Sequence, residues 1–412
     1  MTEAIEAIEA TDVARSAPTG SDGVFAYTWD IVGDPAAAER LAELGVGSVT
    51  LQASYHAVRA ITPRHPHHRV VHATHAAAYF PLSADIWQGQ RLRPPAPSWG
   101  VEVPDRFGAA TTALAGAGLR TEAWLVLTHS SALGDRAPEL TVRNAYGERY
   151  AYALCPAHPD VESYAVNLAR EICTRYDDVP ALMLEACGWL GFEHGSHHEK
   201  THGADLSPGC RALLSVCLCA ACRAALADGS AGGDGASGGL DADELARDIR
   251  TAVDGELREG RTVAPSLAET LGEDRAQRLF DHRRSVIAGL ARRIAAVAGG
   301  RELLLMAEDS PQSTGPDSAL DLARYDGPAD AYVLKCWDEP DAALTRVKDA
   351  AQNTAVPIVA NVSVIDDPPG ELASRVAGLR AAGARDIRFY HAGLASSARL
   401  EALRSAVRGT HQ

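Results

Sequence analysis

Eight short apolar runs divide the chain, and a helical pattern follows most of them. The runs are continuous rather than alternating, which is typical of parallel strands buried on both faces. Their alternation with helices predicts an α/β fold of the (β/α)8 TIM barrel type, a closed ring of parallel strands surrounded by helices. A doubly wound open sheet is the alternative, but no GxGxxG sequence follows the first run. The predicted strands are 24–31, 48–55, 120–129, 181–189, 301–309, 331–337, 356–364 and 386–393.

Two long insertions account for the length of the chain. It has 412 residues, whereas a plain barrel needs about 250. The insertions are 56–104, after the second predicted strand, and 188–274, after the fourth. Both leave the C-terminal ends of strands, where barrel active sites are built. We therefore predict one barrel domain over 23–412, preceded by a disordered acidic tail at 1–22. The second insertion also contains the Gly-rich linker DGSAGGDGASGGLDADE.

The charge balance limits the classes of partner. The formal net charge is −15, which argues against nucleic acid and anionic membranes. No apolar run is long enough to span a membrane, and the acidic N-terminus lacks the basic and apolar regions of a signal peptide. These features predict a cytoplasmic protein that acts on a small molecule. A homo-oligomer is compatible with them. In that compartment the eight cysteines are expected to be reduced or metal-bound.

Three cysteines lie within six residues of sequence, at Cys217, Cys219 and Cys222. This spacing allows a turn to present all three thiolates to one cation, and tetrahedral zinc requires a fourth ligand. Cys155, in the loop LCPAHPD before a helix, is the better candidate, and Cys210 is the alternative. A site with four thiolates has no open position, so a structural rather than a catalytic zinc is expected.

The region 150–226 resembles the zinc-cluster region of family 42 β-galactosidases and related glycoside-hydrolase-like barrels. In these proteins a Cys-Pro pair precedes the third helix, an acidic residue ends strand four, and Cys-x-Cys-x-x-Cys follows. The matching segments are LCPAHPDVESYAVNLAREICTRYDDVPALMLEACGW and CLCAACRAAL. The resemblance implies a carbohydrate-active barrel with structural zinc. The zinc ligands that it implies are Cys155, Cys217, Cys219 and Cys222.

The chain departs from that family at both catalytic positions. Family 42 ends strand four with Asn-Glu, whereas this chain has Glu185 preceded by Leu184. The family has a nucleophilic glutamate at the end of strand seven, where this chain has Asn361 and no carboxylate before Asp366. The mechanism with two glutamates therefore does not transfer unchanged.

Glu185 is the main catalytic candidate. It lies in an apolar run, and burial raises the pKa of a carboxyl group, which suits a general acid. Glu308 ends predicted strand five, and Asp338 follows predicted strand six. Because adjacent strands lie ~4.8 Å apart, the carboxyl groups of Glu185 and Glu308 fit the ~5 Å separation of a retaining glycosidase. The carboxyl groups of Glu185 and Asp338, two strands apart, fit the wider separation of an inverting one. The sequence leaves both pairings open.

Aromatic and polar side chains near the strand ends provide candidates for substrate binding. Aromatic rings can stack on pyranose faces, and amide, carboxyl, imidazole and ammonium groups can bind hydroxyl groups. The predicted substrate-binding residues are Trp29, Asp30, Gln52, Tyr55, His56, His129, Lys335, Trp337, Asn361, Tyr390 and His391.

Histidines are concentrated in both insertions, where they suggest a second divalent metal. There is, however, no HExxH sequence on a helix. The leading hypothesis is a glycoside hydrolase-like enzyme that acts on a small carbohydrate. The alternatives are a metal-dependent lyase or hydrolase that uses these histidines, and a non-catalytic sugar-binding barrel. The metal candidates are His56, His65, His67, His68, His72 and His75 in the first insertion and Glu193, His194, His197, His198 and His202 in the second.

Overall fold

The computed structural model describes residues 21–193, 200–228 and 239–409. In these ranges the strands are β1 (Gly23–Ala26), β2 (Ser48–Tyr55), β3 (Val58–Ile61), β4 (Val70–Ala73), β5 (Ala77–Ala78), β6 (Arg120–Val126), β7 (Thr141–Arg143), β8 (Arg149–Leu154), β9 (Ala181–Glu185), β10 (Glu302–Asp309), β11 (Ser318–Leu320), β12 (Ala331–Lys335), β13 (Ile358–Ser363) and β14 (Ala384–Tyr390). The helices are α1 (Thr28–Ile31), α2 (Ala37–Ala42), α3 (Ala84–Trp87), α4 (Arg106–Gly116), α5 (Ser131–Arg136), α6 (Pro159–Arg175), α7 (Pro208–Leu214), α8 (Ala220–Ala227), α9 (Ala242–Glu259), α10 (Leu267–Leu271), α11 (Glu273–Val297), α12 (Pro340–Asn353), α13 (Leu372–Ala381) and α14 (Ser397–Gly409).

Eight parallel strands close into a barrel in the order β1-β2-β6-β9-β10-β12-β13-β14. The ring closes because β1 pairs with both β2 and β14. This confirms the prediction of a (β/α)8 TIM barrel. The strands are almost wholly buried, as expected for a sheet with helices on one face and a filled interior on the other.

The first barrel strand is shorter than predicted. The run at 24–31 was expected to be one strand, but β1 ends at Ala26 and the residues Thr28–Ile31 form α1. The side chain of Asp30 accepts a hydrogen bond from the backbone N–H of Tyr27 over 2.8 Å, which caps this short helix. A local polar contact thus ends an apolar run that hydrophobicity alone would continue as a strand.

The two faces of the barrel wall pack differently. Aliphatic side chains fill the space between the strands and the surrounding helices. The barrel interior instead contains large aromatic residues, including Phe25, Tyr27 and Trp124, together with Met183 and Met306. The interior is therefore lined with aromatic rings before any functional residue is considered.

The insertions add further elements to the barrel, and β5 of the first one pairs with the barrel strand β2. Part of the first one is an antiparallel hairpin of β3 and β4. The described part of the second forms α7 to α10 around its own apolar cluster, which includes Leu213, Leu245 and Ile249. Part of the Gly-rich linker, at 229–238, and most of the predicted tail, at 1–20, lie outside the described residues. No helix in the described ranges is both long and apolar enough to cross a membrane.

Candidate active site

A cavity of about 550 Å³ opens at the C-terminal ends of the barrel strands. Its size is within the range of sites that enclose a small organic ligand. It lies at the end of the fold where barrel enzymes place their active sites. Six aromatic rings line it: Phe25, Tyr27, Tyr55, Trp124, Trp337 and Tyr390.

Glu185 is a buried carboxyl group in the wall of this cavity. It is the last residue of β9 and is only 5% exposed. The indole N–H of Trp124, on the adjacent β6, donates a hydrogen bond of 2.6 Å to Oε2 of Glu185. Burial raises the pKa of Glu185 to about 8, although this hydrogen bond acts in the opposite direction. The carboxyl group is therefore mostly protonated at neutral pH and can donate a proton.

Asp317 is a second carboxyl group in the same wall, and the sequence analysis did not identify it. It lies in the loop between β10 and β11, and β11 pairs with β10. The loop contacts the end of β9, because the N–H of Ala186 donates to the carbonyl of Pro316 over 2.7 Å. Burial raises the pKa of Asp317 to about 7, and its charge raises the pKa of Glu185.

The only sequence signal for Asp317 is its position in a loop that follows a predicted barrel strand. No described residue donates a hydrogen bond to its Oδ1 atom. An unpartnered oxygen in a cavity wall is available to a ligand, because leaving it buried without a partner is costly.

Lys335, Trp337 and Asn361 lie on the same side of the cavity. The ammonium group of Lys335 is 4.6 Å from the centre of the Trp337 ring, within the range of a cation–π contact. The indole N–H of Trp337 donates to Oδ1 of Asn361 over 3.3 Å. The ring is thereby held at the cavity wall.

Three tyrosine side chains surround the approach to Glu185. The hydroxyl of Tyr27 donates to the hydroxyl of Tyr55 over 3.1 Å, and Tyr390 also lines the cavity. Burial raises the pKa of both Tyr27 and Tyr55 well above the usual value. These hydroxyl groups therefore remain neutral and can act as hydrogen-bond donors.

The two other predicted catalytic carboxylates lie outside the aromatic cavity. Leu184 pairs with Leu305, so Glu308 lies two residues beyond the level of Glu185, roughly 7 Å further along the strand. Glu308 and Asp338 line a neighbouring cavity of about 230 Å³, and Asp317 and Lys335 lie in the walls of both cavities.

Asp338 forms an ion pair with Arg346. Burial alone would raise the pKa of Asp338, but the hydrogen bond and charge of Arg346 hold it below the usual value. Such a group is a poor proton donor near neutral pH. The assignment of Glu308 or Asp338 as the second carboxylate remains a prediction.

Five predicted substrate-binding residues do not line the cavity, namely Trp29, Asp30, Gln52, His129 and His391. Trp29 packs against Tyr79, and Gln52 accepts hydrogen bonds from the backbone and side chain of Thr28. Asp30 and His391 approach to 4.0 Å. Burial raises the pKa of Asp30 to about 7 and lowers that of His391 to about 3.

His56 lines the cavity, and His129 lies beside it. The centres of the His56 and His129 rings are 4.6 Å apart, and His56 also stacks on Tyr55. His56 and His129 come from the loops after β2 and β6, so the fold unites two residues that are distant in sequence.

The other predicted metal-binding histidines of the first insertion make mainly structural contacts. His65 and His68 stack at 3.5 Å and interact with the backbone carbonyls of Val32 and Trp29. His75 interacts with the carbonyl of Ala96. In the second insertion, Glu193 pairs with Arg211 over 2.9 Å. His194, His197, His198 and the side chain of His202 lie outside the described residues.

The four cysteines implied by the family resemblance form one buried cluster. The Sγ atom of Cys155 lies 3.6 Å from those of Cys219 and Cys222 and 3.9 Å from that of Cys217. All four sulfur atoms lie within 4.8 Å of one another and can hold a metal ion. Among the described residues, this is the one group of three or more His, Cys, Asp or Glu ligand atoms with that property. The alternative ligand, Cys210, packs instead within the helices of the second insertion.

The barrel is similar to solved structures of carbohydrate-cleaving enzymes. One is α-L-fucosidase isoenzyme 2 from Paenibacillus thiaminolyticus, with a TM-score of 0.54, 13% identity, and coverage of 95% of this chain and 49% of that chain. The catalytic domain of β-amylase from Paenibacillus polymyxa has a TM-score of 0.54 and 12% identity, and the match covers 95% of this chain and 98% of that chain. A catalytic mutant of a GH42 β-galactosidase from G. stearothermophilus has a TM-score of 0.52, 12% identity, and coverage of 94% and 56%. All three are glycoside hydrolases.

The likeness extends to the fold and no further at these identities. The chain spans 49% of the fucosidase and 56% of the β-galactosidase. No protein-family model and no curated protein matches the sequence.

Proposed function

We propose that this protein is a glycoside hydrolase-like enzyme that acts on a small carbohydrate, with Glu185 as general acid/base. The observation that carries the proposal is the environment of Glu185. It is a buried carboxyl group with a pKa of about 8, held by Trp124 in the wall of an aromatic cavity. A protonated carboxyl group at neutral pH is what protonation of a glycosidic leaving group requires.

The second carboxylate in this proposal is Asp317. It shares the cavity wall with Glu185 and influences its pKa through charge. Glu308 and Asp338 remain the candidates from the sequence, but they line the neighbouring cavity. In a glycosidase the second carboxylate must be ionised. Burial raises the pKa of Asp317 to about 7, and the nearby charge of Lys335 acts in the opposite direction and favours the ionised form.

The remaining lining residues suit a sugar ligand. The ring of Trp337 offers an aromatic face, and the hydroxyl group of Tyr55, which accepts from Tyr27, offers a donor to a sugar oxygen. Asn361 adds an amide group. A mostly apolar pocket with a few directed polar groups is the usual form of a small-molecule site.

We further propose that the cysteine cluster holds structural zinc. A Zn–S length of ~2.3 Å places the sulfur atoms of a tetrahedral site ~3.8 Å apart. The distances of 3.6–3.9 Å from the sulfur of Cys155 to the other three sulfurs fit that value. Four thiolates leave no position for substrate. The cluster would connect the segment after β8 to the start of α8 and the loop before it, without taking part in the reaction.

The test is hydrolysis of a panel of methyl glycosides, whose leaving group requires protonation, by the wild type and by matched amide variants. We expect turnover of at least one glycoside and a 10²–10⁴-fold loss of kcat in Glu185→Gln, the range for a general acid. Asp317→Asn should cause a comparable loss, and Asp338→Asn should cause a much smaller one. Full activity in Glu185→Gln would exclude the proposed mechanism. Full activity in Asp317→Asn would indicate that the second catalytic carboxylate is Glu308 or Asp338.

A further inference from the structure

The cavity beside Glu185 has two chemically different walls. Its polar groups come from consecutive barrel strands and their loops, with Glu185 at the end of β9, Asp317 before β11 and Lys335 at the end of β12. The other wall is mainly aliphatic and comes from the hairpin after β2 and from the loops after β13 and β14. The apolar residues of this wall are Val58, Ala60, Ile61, Ile365 and Leu394, and Arg59 of the hairpin lies among them.

The strand order places the hairpin and Lys335 on opposite sides of the barrel, whereas Ile365 follows β13, the neighbour of β12. In the ring, β2 and β12 are separated by three strands in either direction. The hairpin that follows β2 therefore faces the end of β12, where Lys335 lies. A ligand that fills the cavity contacts both walls at once.

The apolar wall continues onto an exposed surface. Ile61 is 57% exposed, and its partner across the hairpin, Val70, is 58% exposed. Only five large apolar side chains are highly exposed in the described part of the chain. Two of them are Ile61, which lines the cavity, and Val70, which pairs with it across the hairpin. A single exposed aliphatic residue needs no explanation, but adjacent ones continuous with a pocket indicate a binding surface.

Aliphatic side chains are poor partners for sugar hydroxyl groups. A second sugar placed against Val58, Ile61 and Leu394 would lose hydrogen bonds to water, and Arg59 is the one charged residue of this wall that offers replacements. An alkyl or aryl group in the same place would instead bury apolar surface on both partners. The two walls thus favour a ligand with a polar end and an apolar end.

We propose that the apolar wall binds the aglycone of the substrate, and that this aglycone is an alkyl or aryl group rather than a further sugar. The inference rests on the proposed function. The sugar lies between Glu185, Asp317 and Lys335, and the apolar group extends past Ile61 towards the mouth.

The experiment compares hexyl and methyl glycosides of the same sugar with the wild type and an Ile61→Ser/Val70→Ser double variant. The wild type should have a kcat/KM at least tenfold higher for the hexyl glycoside. The double variant should lose that preference by roughly tenfold, in the range that small apolar groups contribute in a pocket. Leu257→Ser and Val101→Ser are matched controls, because both residues are exposed aliphatic side chains that do not line the cavity. They should keep the wild-type preference.

Each other outcome has a defined meaning. Equal kcat/KM values for the two glycosides in the wild type would overturn the inference and leave the proposed function intact. A preference that the double variant retains would also overturn it. A change in the mass measured by light scattering, with no change in preference, would assign Ile61 and Val70 to a contact between copies of the chain.

A wild type that cleaves no glycoside would defeat the proposed function instead. Calorimetric binding of the hexyl and methyl glycosides would still test the inference. Tighter binding of the hexyl compound that the double variant loses would support the apolar wall as a ligand site. Equal binding of the two compounds would overturn it.

Discussion

The indole N–H of Trp124 lies 2.6 Å from Oε2 of Glu185 and donates a hydrogen bond to it. Trp124 is paired with Met183 between the neighbouring strands β6 and β9, two residues before the level of Glu185. Its side chain therefore reaches along the barrel interior towards the carboxyl group. The contact orients Glu185 and lowers its pKa, while burial raises that pKa. Trp124 is thus a positioning residue for the proposed acid.

Replacing Trp124 by Phe should shift the pH dependence of turnover. Without the donor, the ionised form of Glu185 loses a hydrogen bond, so its pKa rises further. Because a general acid must be protonated, the basic limb of the kcat profile should move to higher pH. The kcat/KM of the Trp124→Phe variant should fall by about tenfold, which corresponds to the free energy of one hydrogen bond.

The matched control for this change is Trp29→Phe. Trp29 is a buried tryptophan whose indole N–H has no partner among the described residues. Its replacement should leave the basic limb in place. A limb that moves equally in both variants would show that loss of ring volume, and not loss of the donor, causes the shift.

Replacing Asp317 by Asn should move the pKa of Glu185 in the opposite direction. The charge of Asp317 raises that pKa, and removal of a like charge favours ionisation. Titration of the Glu185 carboxyl stretch by difference infrared spectroscopy, assigned with Glu185→Gln, measures this shift without requiring activity. Asp338→Asn is the control and should leave the titration unchanged. An unchanged titration in Asp317→Asn would contradict the electrostatic coupling of the two carboxyl groups.

Glu122→Gln should strongly destabilise the barrel. Glu122 and Arg388 are fully buried and form an ion pair of 2.6 Å that joins β6 to β14 across the barrel. The variant leaves Arg388 buried without its counterion, and such changes cost about 3–5 kcal/mol. Urea unfolding at neutral pH measures the loss. Asp326→Asn breaks the exposed pair with Arg292 and should cost less than about 1 kcal/mol.

The same ion pair predicts a loss of stability in acid. Burial alone would raise the pKa of Glu122, but the charge and hydrogen bonds of Arg388 outweigh it and lower the pKa below the usual value. A lowered pKa in the folded state means that the stabilisation is present above the unfolded-state pKa. It is lost as the pH falls through the folded-state pKa. Glu122→Gln should therefore flatten the acid dependence of the unfolding free energy.

Cys222→Ser should remove the bound metal and lower stability. The variant leaves three thiols at a site that needs four ligands. We expect zinc, measured by elemental analysis, to fall from about one ion per chain to near zero. The free energy of unfolding should fall by more than about 3 kcal/mol, in the upper range for single substitutions.

Cys173→Ser is the control, because Cys173 lies on α6 outside the cluster. It should retain the metal. Retained zinc in Cys222→Ser, or a wild type purified without any metal, would contradict the proposed site.

The amino-acid sequence by itself determined the barrel, the cysteine cluster as a local pattern and the position of Glu185. Continuous apolar runs such as 181–185 predict buried parallel strands, because strand identity depends on residue type and periodicity within a short window. The thiols of Cys217, Cys219 and Cys222 are close for a similar reason, because they lie within six consecutive residues of sequence. Glu185 drew attention because an acidic residue in an apolar run is unusual at any position.

Only the tertiary structure decided which residues meet Glu185. The register of the strands places Trp124 beside Glu185 and places Glu308 further along its strand. The loop between β10 and β11 brings Asp317 into the cavity wall that contains Glu185. The hairpin that supplies Ile61 lies across the barrel from Lys335 only because the sheet closes into a ring. These relationships depend on pairing between segments far apart in the chain. Residue types fix the local elements, but packing over long sequence distances selects their partners.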